Sequence, residues 1–328
     1  MNILFFILKT KLLLKRVFGK ETEMRTLLGT MNEEIEKMKK AVNIDYAPVT
    51  INRYINVMKK LQKAIPDFYG KEDITFHELN SDFIATFDLF LKTEAGLCRN
   101  TIVRYMKCFK RITNMALAKE WMRKDPFYGY KMAQDETDPV FLTYPELKSI
   151  MEKEFTIPRL ALVRDIFVFA AFTGLAFADV STLTKDNLVQ DNNGDWWIRK
   201  GRVKLERRHR ASSVCNIPLL PVPLAILKKY EEHPICREKS LCLPVICNQR
   251  MNSYLKEIAD LCNIRKNLTT HLARHSFASV IALANNVSLP NVAKMLGHSS
   301  TRMTQHYAKV LDQTILRDMQ AVEKQLSV

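Results

Sequence analysis

Glycine is scarce in this chain, nine among 328 residues, and no stretch is dominated by proline, serine or glycine. With a hydrophobic share of 47% and a charged share of 26%, that scarcity excludes a disordered or low-complexity protein. The apolar content is enough for two compact units, each with its own core. Disulfide and zinc frameworks are missing too. None of the seven cysteines belongs to a C-x-x-C pair, and no second Cys/His pair stands at zinc-like spacing. They read as reduced thiols of a cytosolic protein, and neither a cofactor nor a metal is expected. No apolar run is long enough for a bilayer. Ile3 to Leu8, within MNILFFILKTKLLLKRVF, is too short, lysines interrupt the residues after it, and no small-residue cleavage site is evident. No internal repeat is visible. Acid is in deficit: 35 Asp and Glu stand against 50 Lys and Arg, a net charge of +15. Such an excess points to a polyanionic partner, nucleic acid ahead of a membrane surface.

What the chain has in plenty is helical periodicity. A charged segment over 31–42 reads as helix. Thr50 is a plausible N-cap, and Ile51, Tyr54, Ile55, Met58 and Leu61 make one apolar stripe after it. Phe83, Ile84, Phe87 and Leu91 make a second, ending near Gly96. A third helix runs from Asn100 to Lys119 on Ile102, Met106, Phe109, Ile112 and Ala116. Arg104, Lys107, Lys110 and Arg111 sit off that stripe, placed either to meet phosphates or to form a solvated face. Asp125-Pro126 stops the pattern, and the aperiodic, acidic stretch 127–140 reads as a linker. Beyond it, Thr143 and Glu146 have capping-box spacing, and a buried helix over 159–173 ends at Gly174. Strand signals are confined to 195–220: Trp196 to Ile198, Arg202 to Leu205 and Ser213 to Ile217. Helices resume at 223–231, 250–262, 270–284, 289–296 and 311–326. The expected fold is mainly α with a small antiparallel sheet. Residues 1–44 form an N-terminal extension, 45–126 a helical domain, 127–140 the linker, and 141–328 a second domain with a tail helix.

Four of the seven histidines fall within 271–306. His271 and Arg274 are three apart and share a helical face. His271 and His275 have the spacing of a zinc helix, but Leu272 stands where a metalloprotease needs glutamate. Further on come Met295-Leu296-Gly297-His298-Ser299, with Gly297 as a helix C-cap, and then His306-Tyr307. His275 and His306 read as structural histidines. The remaining set matches one chemistry. A phosphodiester gains negative charge when attacked. An arginine fork can hold two of its oxygens, histidines can donate to them or shuttle protons, and a tyrosine hydroxyl can attack to form a phosphotyrosine ester. A free tyrosine titrates near ~10, so neighbouring cations must stabilise the developing phenolate.

The ordered set H-x-x-R-H, then L-G-H-S, then H-Y resembles the tyrosine recombinase (phage integrase) family, over roughly residues 48–328 and most specifically over 269–310. The likeness extends to Phe172-Thr173-Gly174-Leu175 and Asp179-Val180, and the F-T-G-L-A-F-A-D-V wording is similar to integrases of Bacteroides-type mobile elements. The resemblance implies a SAM-like core-binding domain over 45–126 and a mixed α/β catalytic domain over 141–328. It implies Tyr307 as nucleophile, His271, Arg274 and His298 on the phosphate, and Lys204 as the acid for the leaving 5′ oxygen. It also implies double-stranded recombination sites as partner, a homotetramer on DNA held by the tail helix, accessory DNA-bending or excision proteins, and a cytoplasmic, nucleoid-associated location.

One departure stands out. The family carries an arginine directly after T-G-L, where this chain has Ala176. Arg202, two residues before Lys204, shares a strand face with it if the strand is regular, and is the first candidate to fill the gap. Arg164, on the buried helix, is the second. The segment 199–210 holds seven basic side chains against Glu206 alone, so Arg199, Arg207 and Arg208 are expected on DNA phosphates whether or not Arg202 enters the site. After Tyr307, Leu311, Ile315, Met319, Val322 and Leu326 form an amphipathic tail expected to dock on a neighbouring protomer. A DNA-binding remnant without catalysis, and a type IB topoisomerase, are the alternatives.

Overall fold

The computed structural model describes residues 25–136, 138–203 and 214–308, together with positions 315, 316, 319, 320, 322, 323 and 326 of the tail. The chain divides into two compact units, 1–136 and 137–328. Among the described residues no helix is long and apolar enough to cross a membrane.

The first unit is built from α1 (Leu27–Lys40), α2 (Pro48–Tyr69), α3 (Ser81–Thr93) and α4 (Arg99–Ala118). Their apolar stripes meet in one core. Phe83, Phe87, Phe109 and Phe127 are all buried and pack largely edge to face. The side chain of Asn80 accepts the Phe83 N–H at 2.9 Å and starts α3. The sequence boundaries shift at both ends of this unit. Helix α1, expected in an N-terminal extension, buries Leu27, Met31, Ile35 and Met38 in the common core. At the other end, Phe127 is buried and the Tyr130 hydroxyl donates to Asp88 at 2.6 Å, so the aperiodic stretch after Pro126 begins as part of the packed unit.

In the second unit, the capping box opens α5 (Tyr144–Glu152): the Thr143 N–H donates to Glu146 Oε2 at 2.7 Å, and the Glu146 N–H to Thr143 Oγ1 at 3.4 Å. Helix α6 (Pro158–Thr173) is buried on nearly every side and is followed by the short α7 (Phe177–Val180). Strands β1 (Leu188–Gln190), β2 (Trp196–Gly201) and β3 (Val214–Pro218) form an antiparallel sheet in that order. Trp196 to Ile198 are thus in a strand as expected, which runs on to Gly201, whereas Arg202 and Val203, expected to open a second strand, belong to none; β1 escapes the periodicity because three residues with none buried carry no period. The rest of that expected strand, Lys204 and Leu205, lies outside the described residues. Helices α8 (Pro221–Tyr230), α9 (Pro234–Lys239) and α10 (Asn248–Leu261) lead to α11 (Thr270–Ser276). The chain then widens into a π-helical turn over Phe277–Ala282, a break that periodicity does not show. Helices α12 (Leu289–Met295) and α13 (Arg302–Gln305) close the described part.

Candidate active site

Two left-handed glycines frame the site. Gly174 ends α6 at φ +68°, where a Cβ would collide with the Phe277 ring. Gly297 ends the turn after α12 at φ +61°, where a Cβ would lie 2.7 Å from both Arg202 Cδ and Cys215 Sγ. Neither position tolerates a side chain. These turns aim two carbonyls at one guanidinium. Arg274, on α11 and only 2% exposed, donates from Nη1 to the Gly174 carbonyl and from Nη2 to the Leu296 carbonyl, both at 2.7 Å.

Arg274 Nη2 also stands 2.9 Å from His298 Nε2. A guanidinium has no lone pair to offer, so Nε2 is the acceptor and the ring proton resides on Nδ1, facing Thr304 Oγ1 at 2.8 Å. His298 is therefore neutral. Burial, then the Arg274 and Arg202 charges, bring its pKa down to about 3. Among the described residues no carboxylate lies within ion-pair distance of Arg274, and burial followed by the Arg202 charge lowers its pKa to about 10. This buried cation is held by carbonyl dipoles, an imidazole and the Tyr307 phenol, none of which carries a full negative charge at neutral pH.

Tyr307 reaches this cluster from the turn after α13. It is 5% exposed and packs on Phe277, Ala278, Val292 and Leu296. Burial raises its pKa, while Arg274 and then Arg202 pull it back down. Arg202, just after β2, fits under Gly297 and lies close enough to influence Arg274, His298 and Tyr307. Its Nε is buried without a hydrogen-bond partner among the described residues, 3.7 Å from Asp179 Oδ2. Asp179, itself 2% exposed, accepts the Val203 N–H at 3.0 Å on its other oxygen. One carboxylate thus holds both the backbone and the side chain at the end of β2. Ala176, the N-cap of α7, sits three residues before it.

The second arginine candidate does not join the cluster. Arg164 is held by Asp165, by the Met151 and Lys153 carbonyls at 2.8 Å, and by the Phe155 ring. Its Nε bond stays within α6, and its Nη1 bonds tie α6 to the end of α5. His271 is exposed on α11, its ring edge-on to His275 at 4.3 Å. Arg199 is exposed on β2. Lys204, Arg207 and Arg208 lie outside the described residues. In the first unit, Arg104 and Lys107 face solvent along α4. Lys110 stands over the Phe127 ring and 3.7 Å from Asp125, and Arg111 donates to the Tyr46 hydroxyl at 2.9 Å. Sequence reasoning missed Asp179 and Thr304 as site-builders. The D-V after F-T-G-L-A-F-A was the signal for the first; nothing local marks the second. Among the described residues no His, Cys, Asp and Glu cluster is able to hold a metal ion.

Comparison with known proteins gives a consistent result. Residues 140–314 match the model of the phage integrase family, and residues 26–132 that of the phage integrase SAM-like domain. A tyrosine recombinase XerC of Bacillus licheniformis is 23% identical over 284 residues, covering 81% of this chain and 87% of its own length. A tyrosine recombinase XerD of Staphylococcus saprophyticus is 26% identical over 226 residues, covering 66% of this chain and 73% of its own. Among solved structures, the Tn1549 transposon integrase in complex with a circular intermediate DNA superposes with a TM-score of 0.64 at 16% identity, covering 90% of this chain and 99% of that one. At that identity the likeness speaks for the fold.

Proposed function

Because this chain belongs to the phage integrase family of tyrosine recombinases, we propose that it cuts and rejoins DNA at specific sites through a 3′-phosphotyrosyl bond to Tyr307, in the service of a mobile genetic element. The observation that carries this reading is the convergence of Arg274, Arg202, His298 and Tyr307 in one cluster that holds positive charge and no carboxylate partner for Arg274 among the described residues. A scissile phosphate supplies the missing counter-charge. Its non-bridging oxygens take hydrogen bonds from Arg274 and from the unsatisfied Arg202 Nε, with His271 and His298 beside them. The phosphate also raises the pKa of His298 back toward its ordinary value, so the imidazole turns from acceptor to donor as substrate binds.

Oη of Tyr307 gives its proton to a neighbouring imidazole and attacks phosphorus, the bond to the 5′ oxygen breaks, and the departing oxygen takes a proton, in this reading from Lys204. Attack of a 5′ hydroxyl on the phosphotyrosine reverses the step, so rejoining needs no ATP. Arg202 stands in for the arginine absent at Ala176, held by Asp179 as a strand neighbour would not be. That placement favours an active enzyme over a DNA-binding remnant, the reading that Ala176 alone would favour.

Binding reaches both units. Arg104 and Lys107 on α4, with Lys110, Arg111, Arg199, Arg207 and Arg208, contact phosphates of a double-stranded recombination site. In the tail, Ile315, Met319, Val322 and Leu326 are exposed, which supports docking in trans within a homotetramer on DNA rather than a type IB topoisomerase acting alone. Accessory DNA-bending or excision proteins and a cytoplasmic, nucleoid-associated location complete the reading. A nicked suicide substrate from the ends of the element tests it: a covalent protein–DNA adduct is expected, and no adduct from wild-type protein that still binds the DNA would return the remnant.

A further inference from the structure

The Tyr307 ring is enclosed by imidazoles. His306 stacks on it at 3.9 Å between ring centroids, tilted by 39°, and His275 faces it at 5.2 Å and 53°. His275 in turn packs against His271 at 4.3 Å, edge to face, and reaches His306 at 6.4 Å. So His275 stands between the exposed His271 and the phenol, one residue after the guanidinium that Tyr307 faces. Its Nδ1 is buried and has no hydrogen-bond partner among the described residues. The ring is half-buried, and burial, then the His271, His306 and Arg274 charges, bring its pKa down to about 4. Around neutral pH it is an uncharged plate. The groups facing it are His271 and Arg274 on its own helix, His306 and Tyr307 from the turn after α13, and Asp138 in the shared cleft of about 500 Å³.

We propose that His275 is a positioning residue for Tyr307: its flat imidazole, wedged between His271 and the phenol, fixes the ring so that the hydroxyl is presented to Arg274 and the phosphate. A flat, uncharged side chain does this without adding a cation beside Arg274, Arg202 and His298. Leucine would fill the volume without the flat face, and lysine would repel the clamp. The backbone supports the same role. His275 is one residue before the end of α11, where the chain widens into the π-helical turn that carries Phe277 and Ala278 under Tyr307. The nucleophile is thereby gripped from its imidazole side and its apolar side by residues of one segment.

The inference rests on Tyr307 being the nucleophile, and its test separates the two. Single-turnover adduct formation is measured on a suicide substrate across DNA concentrations for wild type, His275→Ala, His275→Gln, His275→Phe and Tyr307→Phe. His275→Ala and His275→Gln are expected to lower the maximal rate by about tenfold to a hundredfold, as small misplacements of a reacting group do, with the half-saturating DNA concentration unchanged. His275→Phe, which keeps a flat aromatic ring, slightly larger and without the nitrogens, restores most of the rate. A general loss of folding would instead raise the half-saturating concentration and would not be rescued by ring shape. Should His275→Ala fail to fold, the contrast between His275→Gln and His275→Phe reads the same property. A rate for His275→Gln equal to wild type, or a His275→Phe rate as slow as His275→Gln, overturns the positioning role. An adduct that persists in Tyr307→Phe overturns instead the assignment of the nucleophile.

Discussion

Arg274 makes its three short polar contacts to two carbonyls and one imidazole, and a lysine in its place has one point of charge where the guanidinium has a fork. Arg274→Lys is therefore expected to lower the rate of adduct formation by about a hundredfold or more while DNA binding persists. The same reasoning singles out Arg202. Its Nε is buried and unsatisfied among the described residues, whereas Arg199 is exposed. Arg202→Ala should slow cleavage by about 100-fold or more, and Arg199→Ala by about twofold or less, in parallel suicide-substrate assays. Equal effects would reduce Arg202 to one more phosphate contact. At this scale the sequence was legible where chemistry demands a residue type. The H-x-x-R-H, G-H and H-Y spacings need no fold to be recognised. Asp179, Thr304 and the two carbonyls were not, because aspartate, threonine and backbone are common everywhere. Their meaning comes only from contacts between segments apart in the chain, 24 residues for Asp179 to Val203 and 100 for Arg274 to Gly174, or from a turn that brings Thr304 back to His298.

Among elements, α4 carries its basic residues in two different states. Lys107 is exposed, while Arg111 is held by the Tyr46 hydroxyl and lies over the Tyr46 and Tyr54 rings. Lys107→Ala should weaken DNA binding evenly across sequences and reduce the slope of log affinity against log salt by about one. Arg111→Ala should in addition lower the melting temperature through lost packing. A salt slope unchanged by Lys107→Ala would remove that residue from the interface. Periodicity located α2, α3 and α4 well because each has a clear apolar stripe. It failed where the period is short or broken. The strand β1 is three residues long, and the π-helical turn after α11 departs from 3.6-residue spacing. Arg202 was expected on a strand beside Lys204. It follows β2 instead, and its entry into the cluster is set by Asp179 and by the bare Cα of Gly297.

For the whole molecule, the neutral histidines tie stability to pH. His298 and His275 have pKa values lowered to about 3 and about 4 from an ordinary 6.5. An unfolded chain takes up protons on both residues below that ordinary value, and the folded chain does not, so their contribution is full above it and is lost as pH falls through the folded values. The melting temperature of wild type should fall progressively from pH 6.5 toward pH 4, and less steeply in His298→Asn. A parallel fall in both would show that other groups carry the dependence. The proposed docking of the tail in trans is tested by its removal. Removing residues 312–328 should leave the adduct on a single site and eliminate tetramers on paired sites, as seen by mass photometry; tetramers that persist would place the assembly surface elsewhere.

The most direct test is of the bond itself. Wild-type protein and Tyr307→Phe are incubated with a suicide substrate, and the adduct is digested and mapped by mass spectrometry. The expected result is a nucleotide attached through a 3′ phosphate to the peptide containing Tyr307, absent from the phenylalanine variant. Attachment at any other residue, or an unchanged adduct in Tyr307→Phe, would contradict the mechanism at its centre.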